Sequence, residues 1–283
     1  MKESSRRIRR PRLAVVQARE QLAPNMVRVI FTGEDLLGLP DLNHTDHYIK
    51  ILFAPLGAGY RWPFDAEAIK ATRPPEEWPV TRTYTIRSLD RTANRMAVDF
   101  VVHGDEGLAG PWAAQATPGQ TIGFYGPGGG YAPHPKADAH LLVGDESAIP
   151  AIAAALDQLP ATARAYVFLE VDGAQHHQPV PAGPNIVLTW VYRDGAVYGE
   201  RLAARVRAAE LPAGWVQPFV HGNARLVRDL RQHLFHERGM QRRGASLSGY
   251  WRSGQTEDRW QATKHESDQR TTVNDATSLA HSR

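Results

Sequence analysis

Short runs of β-branched and aromatic residues, separated by turn residues, fill the first half of the chain. No long helical period comes between them, and strands of this length at this spacing indicate a small antiparallel β-barrel. The connection 54–79 is rich in proline and glycine, and we predict that it forms a loop. The predicted strands cover 12–17, 27–32, 48–53, 81–87, 95–102 and 121–125.

The pattern changes near residue 139, where compact apolar runs begin to alternate with helical periods. Such alternation predicts a parallel sheet with packed helices. The predicted strands cover 140–143, 166–171, 186–191 and 216–220, and the predicted helices cover 148–159, 199–209 and 224–237. We therefore expect two domains, an antiparallel β-barrel over 12–135 and an α/β domain over 136–254. The tail 255–283 is polar and charged in both signs, which predicts disorder.

The absence of cysteine removes several kinds of chemistry at once. Such a chain has no disulfides, no thiolate zinc site, no cysteine-ligated iron–sulfur cluster and no cysteine nucleophile. A redox protein of this composition must therefore use an organic cofactor. Residues 44–47 read His-Thr-Asp-His, but three ligands so close on an extended segment do not converge on one ion. We predict no fixed metal site.

The chain is mildly basic, with a formal net charge of +3. Part of the excess lies in arginines between positions 6 and 12, which we interpret as a solvated N-terminus because no nucleic-acid-binding signature accompanies them. No apolar run approaches the length of a membrane span, and the N-terminus lacks the apolar core of a secretory signal. We expect a cytoplasmic monomer without a membrane span or a nucleic-acid partner.

The fourth predicted strand carries an arginine, an aromatic ring and hydroxyls close together. Alternate side chains of a strand share one face, so Arg82, Tyr84 and Ile86 point together, and Thr83 and Thr85 point the other way unless a bend re-aims them. An arginine can clamp a phosphate with two hydrogen bonds, a tyrosine can lie against a ring system, and a threonine can donate to a ring nitrogen. A flavin dinucleotide needs all three contacts. An ordinary surface strand is the alternative interpretation.

Five motifs, taken in order, resemble one known family. They are Arg-Thr-Tyr-Thr at 82–85, Asp-Phe-Val-Val-His-Gly at 99–104, Gly-Leu-Ala-Gly-Pro-Trp-Ala at 107–113, Gly-Asp-Glu-Ser-Ala-Ile-Pro-Ala-Ile at 144–152 and Gly-Tyr-Trp-Arg-Ser-Gly at 249–254. Together they resemble the siderophore-interacting proteins, the FAD-containing ferric-siderophore reductases of the ferredoxin–NADP reductase superfamily. The resemblance implies that NADH or NADPH passes a hydride to FAD, which then reduces the Fe(III) of a ferric siderophore and so releases the iron.

The resemblance also implies which residues bind FAD. Arg82 would anchor the pyrophosphate, Tyr84 would stack on the ring and Thr85 would bond the N5 region. The loop that follows the next strand would bring backbone N–H groups close to a phosphate. Its Leu108 stands where the family usually has proline, so the loop is less stiff. The other residues expected at the FAD are His103, Gly104, Ala109, Gly110 and Trp112.

The α/β half would bind the nicotinamide nucleotide at the turn after its first strand. A helix N-terminus at the carboxyl edge of a parallel sheet favours phosphate-bearing ligands. Glu170 and Asp172 end the second strand, and a carboxylate there favours NADH because it accepts from a ribose hydroxyl. Arg193 would instead favour NADPH or face the siderophore. The residues expected at the turn are Asp145, Glu146 and Ser147.

Two basic residues are expected to attract the anionic ferric siderophore. By the resemblance these are Lys50 and Arg252, and no protein residue is expected to act as an acid or a nucleophile. Asn223 stands where the family has glutamate; it can cap the following helix but lacks the charge. Two alternatives stay open: a general flavin reductase or ferredoxin-type electron transferase, and a protein that binds flavin or siderophore without turnover.

Overall fold

Six antiparallel strands close into a barrel in the first half of the molecule. The computed structural model describes residues 10–104, 107–255 and 258–260. The barrel strands are β1 (Arg12–Ala23), β2 (Met26–Thr32), β3 (Tyr48–Phe53), β4 (Val80–Asp90), β5 (Arg95–Val101) and β6 (Thr121–Gly128), and the short helix α1 (Glu34–Leu37) follows β2. They pair in the closed order β1-β2-β5-β4-β3-β6, which confirms the predicted antiparallel barrel.

Alternate residues of these strands fill the barrel interior. Phe31, Phe100 and Phe124 are completely buried there. The first strand is longer than predicted because its second half, 18–21, is mostly polar and exposed while it still pairs in register with β2. Pairing without burial leaves no apolar pattern in the sequence, so periodicity alone ends the strand too early.

The long connection between β3 and β4 contains regular structure, so predicting it as a plain loop was wrong in part. It holds α2 (Ala66–Thr72) and a 3₁₀ turn at Pro75–Glu77. Asp65 caps α2, because its carboxylate accepts from two backbone N–H groups of the first turn at 3.0 and 3.1 Å. The ring of Trp62 lies on Gly123 of β6, where a Cβ would come within 2.1 Å of the indole. This contact holds the connection against the barrel.

Five parallel strands form the sheet of the second half. They are β7 (Ala139–Gly144), β8 (Ala165–Val171), β9 (Ile186–Tyr192), β10 (Val216–Asn223) and β11 (Ser246–Trp251). Their order is β11-β10-β7-β8-β9, and each pair is parallel. The hydrophobic pattern does not predict β11, whose last residues belong to the motif at 249–254.

Helices cover both faces of this sheet. On one face α4 (Ile149–Gln158) packs with Leu142 and Phe219. On the other face α5 (Glu200–Arg207) and α6 (Ala224–Arg231) pack over Leu141. A helical turn at Gln232–Glu237 continues α6, and a further short helix, α3 (Ala109–Gln115), lies between β5 and β6.

The two halves contact each other along α4. This helix packs beside β4, where Arg87 Nη1 donates to Asp157 Oδ2 at 2.6 Å. The carbonyl of Tyr131 accepts from the backbone N–H of Thr45, while the Tyr131 ring packs on Phe219 with centroids 4.7 Å apart. These contacts hold the barrel strand β4 next to the α/β half. Among the described residues, no helix is both long and apolar enough to cross a membrane.

Candidate functional site

Arg82 on β4 holds a carboxylate in a two-bond fork. Its Nη1 and Nη2 donate to Asp258 Oδ1 and Oδ2 at 2.7 and 2.8 Å, and only 12% of its side chain is exposed. Arg82 Nη1 also donates to the carbonyl of Thr81 at 2.9 Å, which fixes the orientation of the guanidinium. A phosphate presents two oxygens in the same geometry as a carboxylate. The donor set at Arg82 therefore fits the pyrophosphate of FAD.

Tyr84 and Thr85 point to opposite sides of β4, as strand alternation predicts. The ring of Tyr84 packs on Phe100 with centroids 4.3 Å apart, against the barrel core. The Thr85 side chain is buried and hydrogen-bonds the hydroxyl of Tyr250 on β11. Burial raises the pKa of Tyr250, so this hydroxyl stays neutral. Thr85 thus lies where the barrel meets the sheet, and its predicted bond to a ring nitrogen stays a prediction.

Most of the expected phosphate loop at 107–112 is helical rather than open, because α3 begins at Ala109. His103 and Gly104 are exposed at the end of β5. Gly110 packs so closely on β5 that a Cβ would lie 3.0 Å from the carbonyl oxygen of Val101. The indole of Trp112 packs near Phe31, Phe53 and Phe100 with ring centroids 5.8–6.2 Å apart. These observations explain the small and aromatic residues by packing, and their contact with FAD stays a prediction.

Asp145 joins three strands at the carboxyl edge of the sheet. Its Oδ1 accepts from the backbone N–H and the hydroxyl of Ser147, at 3.0 and 2.5 Å. Its Oδ2 accepts from the backbone N–H of Asn223 at 2.7 Å and from Trp251 Nε1 at 2.9 Å. The residue is 1% exposed, so its carboxylate is an internal acceptor that ties β7 to β10 and β11.

The surroundings of Asp145 oppose ionisation. Burial and the negative charge of Glu146 raise the pKa of Asp145 to about 6. The hydrogen bonds from Ser147, Trp251 and Asn223 lower this pKa, but they do not cancel the effect of burial. Asn223 also caps α6 as predicted, because its Oδ1 accepts from the backbone N–H of Arg225 at 2.9 Å. The turn after β7 is therefore held rigidly by partners that lie far away in the sequence.

Arg193, directly after β9, is enclosed by three carboxylates. Its Nη2 donates to Glu146 Oε1 at 2.9 Å and to Asp172 Oδ1 at 3.3 Å, and its Nη1 lies 3.5 Å from Glu170 Oε1. Its guanidinium carbon also lies 3.9 Å from the ring centroid of Tyr198. We name Arg193, Glu146, Glu170, Asp172 and Tyr198 the Arg193 cluster. Of the two carboxylates that end β8, Glu170 is fully buried in it, and Asp172 is half exposed.

The buried Glu170 predicts a pH effect on stability. Burial raises the pKa of Glu170 from 4.5 to about 6. The hydrogen bond that Glu170 accepts from the backbone N–H of Gly199 lowers this pKa, but by less than burial raises it. The folded state therefore binds this proton more tightly than the unfolded state, and stability is lost as pH rises from about 4.5 to about 6. Relative to Glu170→Gln, the wild type should lose about 2 kcal/mol of unfolding free energy across this window, measured by urea denaturation. Glu200→Gln, on the exposed start of α5, is the control, and equal pH profiles for the wild type and Glu170→Gln would contradict the assignment.

Lys50 and Arg252, the expected siderophore residues, are both exposed cations. Lys50 lies on β3 and pairs in register with Thr83 of β4. Arg252 directly follows β11 and lines a cavity of about 300 Å³ together with Arg225 and Arg228 of α6. Each residue can therefore meet an anion from solvent, and their joint contact with one siderophore stays a prediction.

The histidines at 44–47 have structural partners. His47 Nδ1 lies 3.0 Å from the carbonyl oxygen of Gly128, and its Nε2 accepts from the backbone N–H of His44 at 3.2 Å. Asp46 accepts from two backbone N–H groups of the segment after β6, both at 2.8 Å. Within the described ranges, no group of three possible ligands is arranged to hold a metal ion.

Sequence reasoning missed several partners at this site. Tyr250 lies in the motif at 249–254, but no residue near it in the sequence indicates that its hydroxyl reaches Thr85. Asp258 falls in the tail predicted to be disordered, yet it binds Arg82, and Trp260 is 5% exposed and packs on Gly249. Residues 256–257 and those from 261 onward lie outside the described residues. Trp260, which follows the motif at 249–254, is the one sequence feature that could have indicated that the folded part extends beyond residue 254.

The barrel and the parallel sheet define the two-domain fold of the ferredoxin–NADP reductase type, and the arginine fork on β4 lies beside their junction. Ferredoxin–NADP⁺ reductase of Plasmodium falciparum has this fold, with a TM-score of 0.63 at 12% identity over 85% of this chain and 96% of that one. Within that class, the chain belongs to the siderophore-interacting protein family. Residues 137–254 match the siderophore-interacting protein family, and 15–131 match the siderophore-interacting FAD-binding domain.

Two relatives support this membership along nearly the whole chain. Ferric vibriobactin reductase ViuB of Vibrio cholerae is 34% identical over 257 residues, which cover 90% of this chain and 94% of that protein. The crystal structure of the siderophore-interacting protein SipS from Aeromonas hydrophila has a TM-score of 0.77 at 27% identity, covering 92% of this chain and 98% of that one. The predicted family and fold class are therefore confirmed.

Proposed function

We propose that this protein is an FAD-containing ferric-siderophore reductase that takes its electrons from a nicotinamide dinucleotide. The observation that carries the proposal is the Arg82 fork, which fits a pyrophosphate and lies on the strand that faces the α/β half. When bound, FAD accepts a hydride and delivers single electrons to Fe(III). We propose that the reaction takes place in the cytoplasm.

The chain's own residues supply binding and orientation in this proposal. Arg82 holds the pyrophosphate, Tyr84 supports the flavin ring, and Thr85, itself held by Tyr250, donates to the N5 region. The turn after β7, fixed by Asp145, is proposed to lie against the nicotinamide donor. The backbone N–H groups of Ser147 and Ala148 do not supply the phosphate contact, because they donate to the carboxylate and the carbonyl of Asp145. None of these residues needs to transfer a proton, because the chemistry belongs to the cofactor.

Lys50 and Arg252 are proposed to attract the ferric siderophore by charge. Replacing both with alanine should raise the KM for an anionic ferric chelate about tenfold, because each surface cation contributes on the order of 1 kcal/mol or less to an exposed ion pair. The rate at which the nicotinamide donor reduces the flavin should be unchanged. The increase in KM for the ferric chelate should become smaller at high salt, because salt screens the charges. Steady-state kinetics with the Fe(III) complex of 2,3-dihydroxybenzoate measure this. The matched control is Arg95→Ala with Lys136→Ala, and unchanged turnover in the Lys50/Arg252 variant would favour a general flavin reductase.

The proposed reaction is tested by anaerobic visible spectroscopy of the purified protein loaded with FAD. The flavin absorbance should bleach on addition of a nicotinamide dinucleotide and recover when the ferric chelate is added, with Fe(II) captured by a chromogenic chelator. A flavin that no nicotinamide bleaches would favour the binding-protein alternative, for which Asn223 in the place of the family's glutamate is the supporting observation. Failure to bind FAD at all would overturn the role of Arg82.

A further inference from the structure

The contacts and burial of Arg193 indicate which nicotinamide dinucleotide the protein uses. This inference rests on the proposed function. An arginine at the end of the third sheet strand is a natural partner for the 2′-phosphate that distinguishes NADPH from NADH. Here the guanidinium already has three acidic partners, Glu146, Glu170 and Asp172, at 2.9–3.5 Å. It is therefore occupied by the protein itself.

Burial adds to this occupation. The Arg193 side chain is 7% exposed, and the ring of Tyr198 covers one face of the guanidinium at 3.9 Å. Pulling it out to meet a phosphate would leave Glu146 and Glu170 buried without their cation, and uncompensated buried charges are strongly unfavourable. Arg193 is thus a structural cation in this fold.

The charges directly around Arg193 are negative in balance. The Arg193 cluster contains three carboxylates and one guanidinium, and Asp172 is the member that solvent reaches, with 51% of its side chain exposed. One exposed cation beside the cluster, Arg201, is itself paired with Asp194 at 2.8 Å. A dianionic phosphate placed beside Asp172 would therefore meet repulsion, whereas a ribose hydroxyl would meet an acceptor.

By the general rule for open α/β sheets, the adenosine ribose of a bound dinucleotide would lie near Asp172. Asp172 directly follows β8, the strand next to β7, and ligands of open α/β sheets lie across the carboxyl ends of these strands. We propose that the protein is selective for NADH, and that Asp172 is the residue that determines this selectivity by accepting a hydrogen bond from the ribose 2′-hydroxyl. Arg193 acts indirectly, because it holds the Asp172 carboxylate in place.

The test compares the two dinucleotides in binding as well as in turnover. Isothermal titration of the FAD-loaded protein with NAD⁺ and NADP⁺ should show at least about tenfold tighter binding of NAD⁺, and stopped-flow bleaching of the flavin should show the same preference for NADH. Asp172→Ser should narrow the ratio of the NAD⁺ and NADP⁺ affinities by about tenfold, through weaker binding of NAD⁺ and tighter binding of NADP⁺. Asp229→Ser, which removes a carboxylate from α6, should leave the ratio unchanged.

The outcomes separate this inference from the proposed function. The proposed selectivity is overturned if NADP⁺ binds as tightly as NAD⁺, or if Asp172→Ser does not change the ratio of the NAD⁺ and NADP⁺ affinities. The proposed function is not affected by either result, because the reductase could still use NADPH. If neither dinucleotide binds and neither bleaches the flavin, the inference and the proposed function fail together. A lower NAD⁺ affinity in Asp172→Ser, with Asp229→Ser unchanged, supports the hydrogen bond to the ribose.

Discussion

Replacing Arg82 with alanine is expected to weaken FAD binding about a hundredfold, because two charge-assisted hydrogen bonds together contribute about 3 kcal/mol. In the structure both terminal nitrogens of Arg82 donate to one carboxylate, which shows that the fork is preformed. The side chain is also largely buried and its orientation is fixed by the Thr81 carbonyl, so little flexibility is lost on binding. Fluorescence titration of the apoprotein with FAD measures the change.

Three further variants make this result specific. Arg82→Lys keeps the charge but loses the fork, so its FAD affinity should lie between those of the wild type and the alanine variant. Arg95→Ala removes an exposed arginine from the same barrel and should bind FAD normally. Asp258→Asn removes the half-exposed carboxylate that a pyrophosphate has to displace from Arg82, so it should bind FAD at least as tightly as the wild type. Wild-type affinity in Arg82→Ala would show that the pyrophosphate binds elsewhere.

The architecture was predictable because burial leaves a periodic trace in the sequence. Alternating apolar residues on the strands marked the barrel, and compact apolar runs between helical periods marked the parallel sheet. The exceptions are informative. The second half of β1 pairs without being buried, and β11 has six half-buried residues, so neither carries a strong apolar pattern. The helix α2 lies among prolines and glycines that indicate turns.

The chemistry of the site was predictable only as residue types. The order of the motifs indicated the family, and Arg82 has the geometry that its type suggested. The partner of each residue was not predictable, because it comes from a distant part of the chain: Arg82 meets Asp258, and Asp145 meets Trp251. Arg193 shows the consequence most clearly. As a residue type it favoured NADPH, but its contacts with Glu146 and Glu170 make it a structural cation.

Replacing Asp145 with alanine is expected to lower the free energy of unfolding by about 4 kcal/mol. The change leaves four donors without their acceptor: two of Ser147, one of Asn223 and one of Trp251. Hydrogen bonds to a charged acceptor contribute about 1.5–3 kcal/mol each. The opposing effect is the relief of an unfavourable buried charge, because burial raises the pKa of Asp145 to about 6 even with these hydrogen bonds in place. The lost bonds therefore outweigh the relief.

Chemical denaturation at pH 7 measures this loss, and two other variants show where it arises. Asp138→Ala is the matched control: Asp138 also accepts from a backbone N–H, that of Trp215 at 2.7 Å, but it is exposed, so its loss should cost about 1 kcal/mol. Trp251→Phe removes a single donor, and its cost should not add fully to that of Asp145→Ala, because the two side chains share one bond. A loss below about 1 kcal/mol in Asp145→Ala would mean that water or a local rearrangement satisfies the four donors. Full additivity with Trp251→Phe would mean that the bond between β7 and β11 contributes nothing to stability.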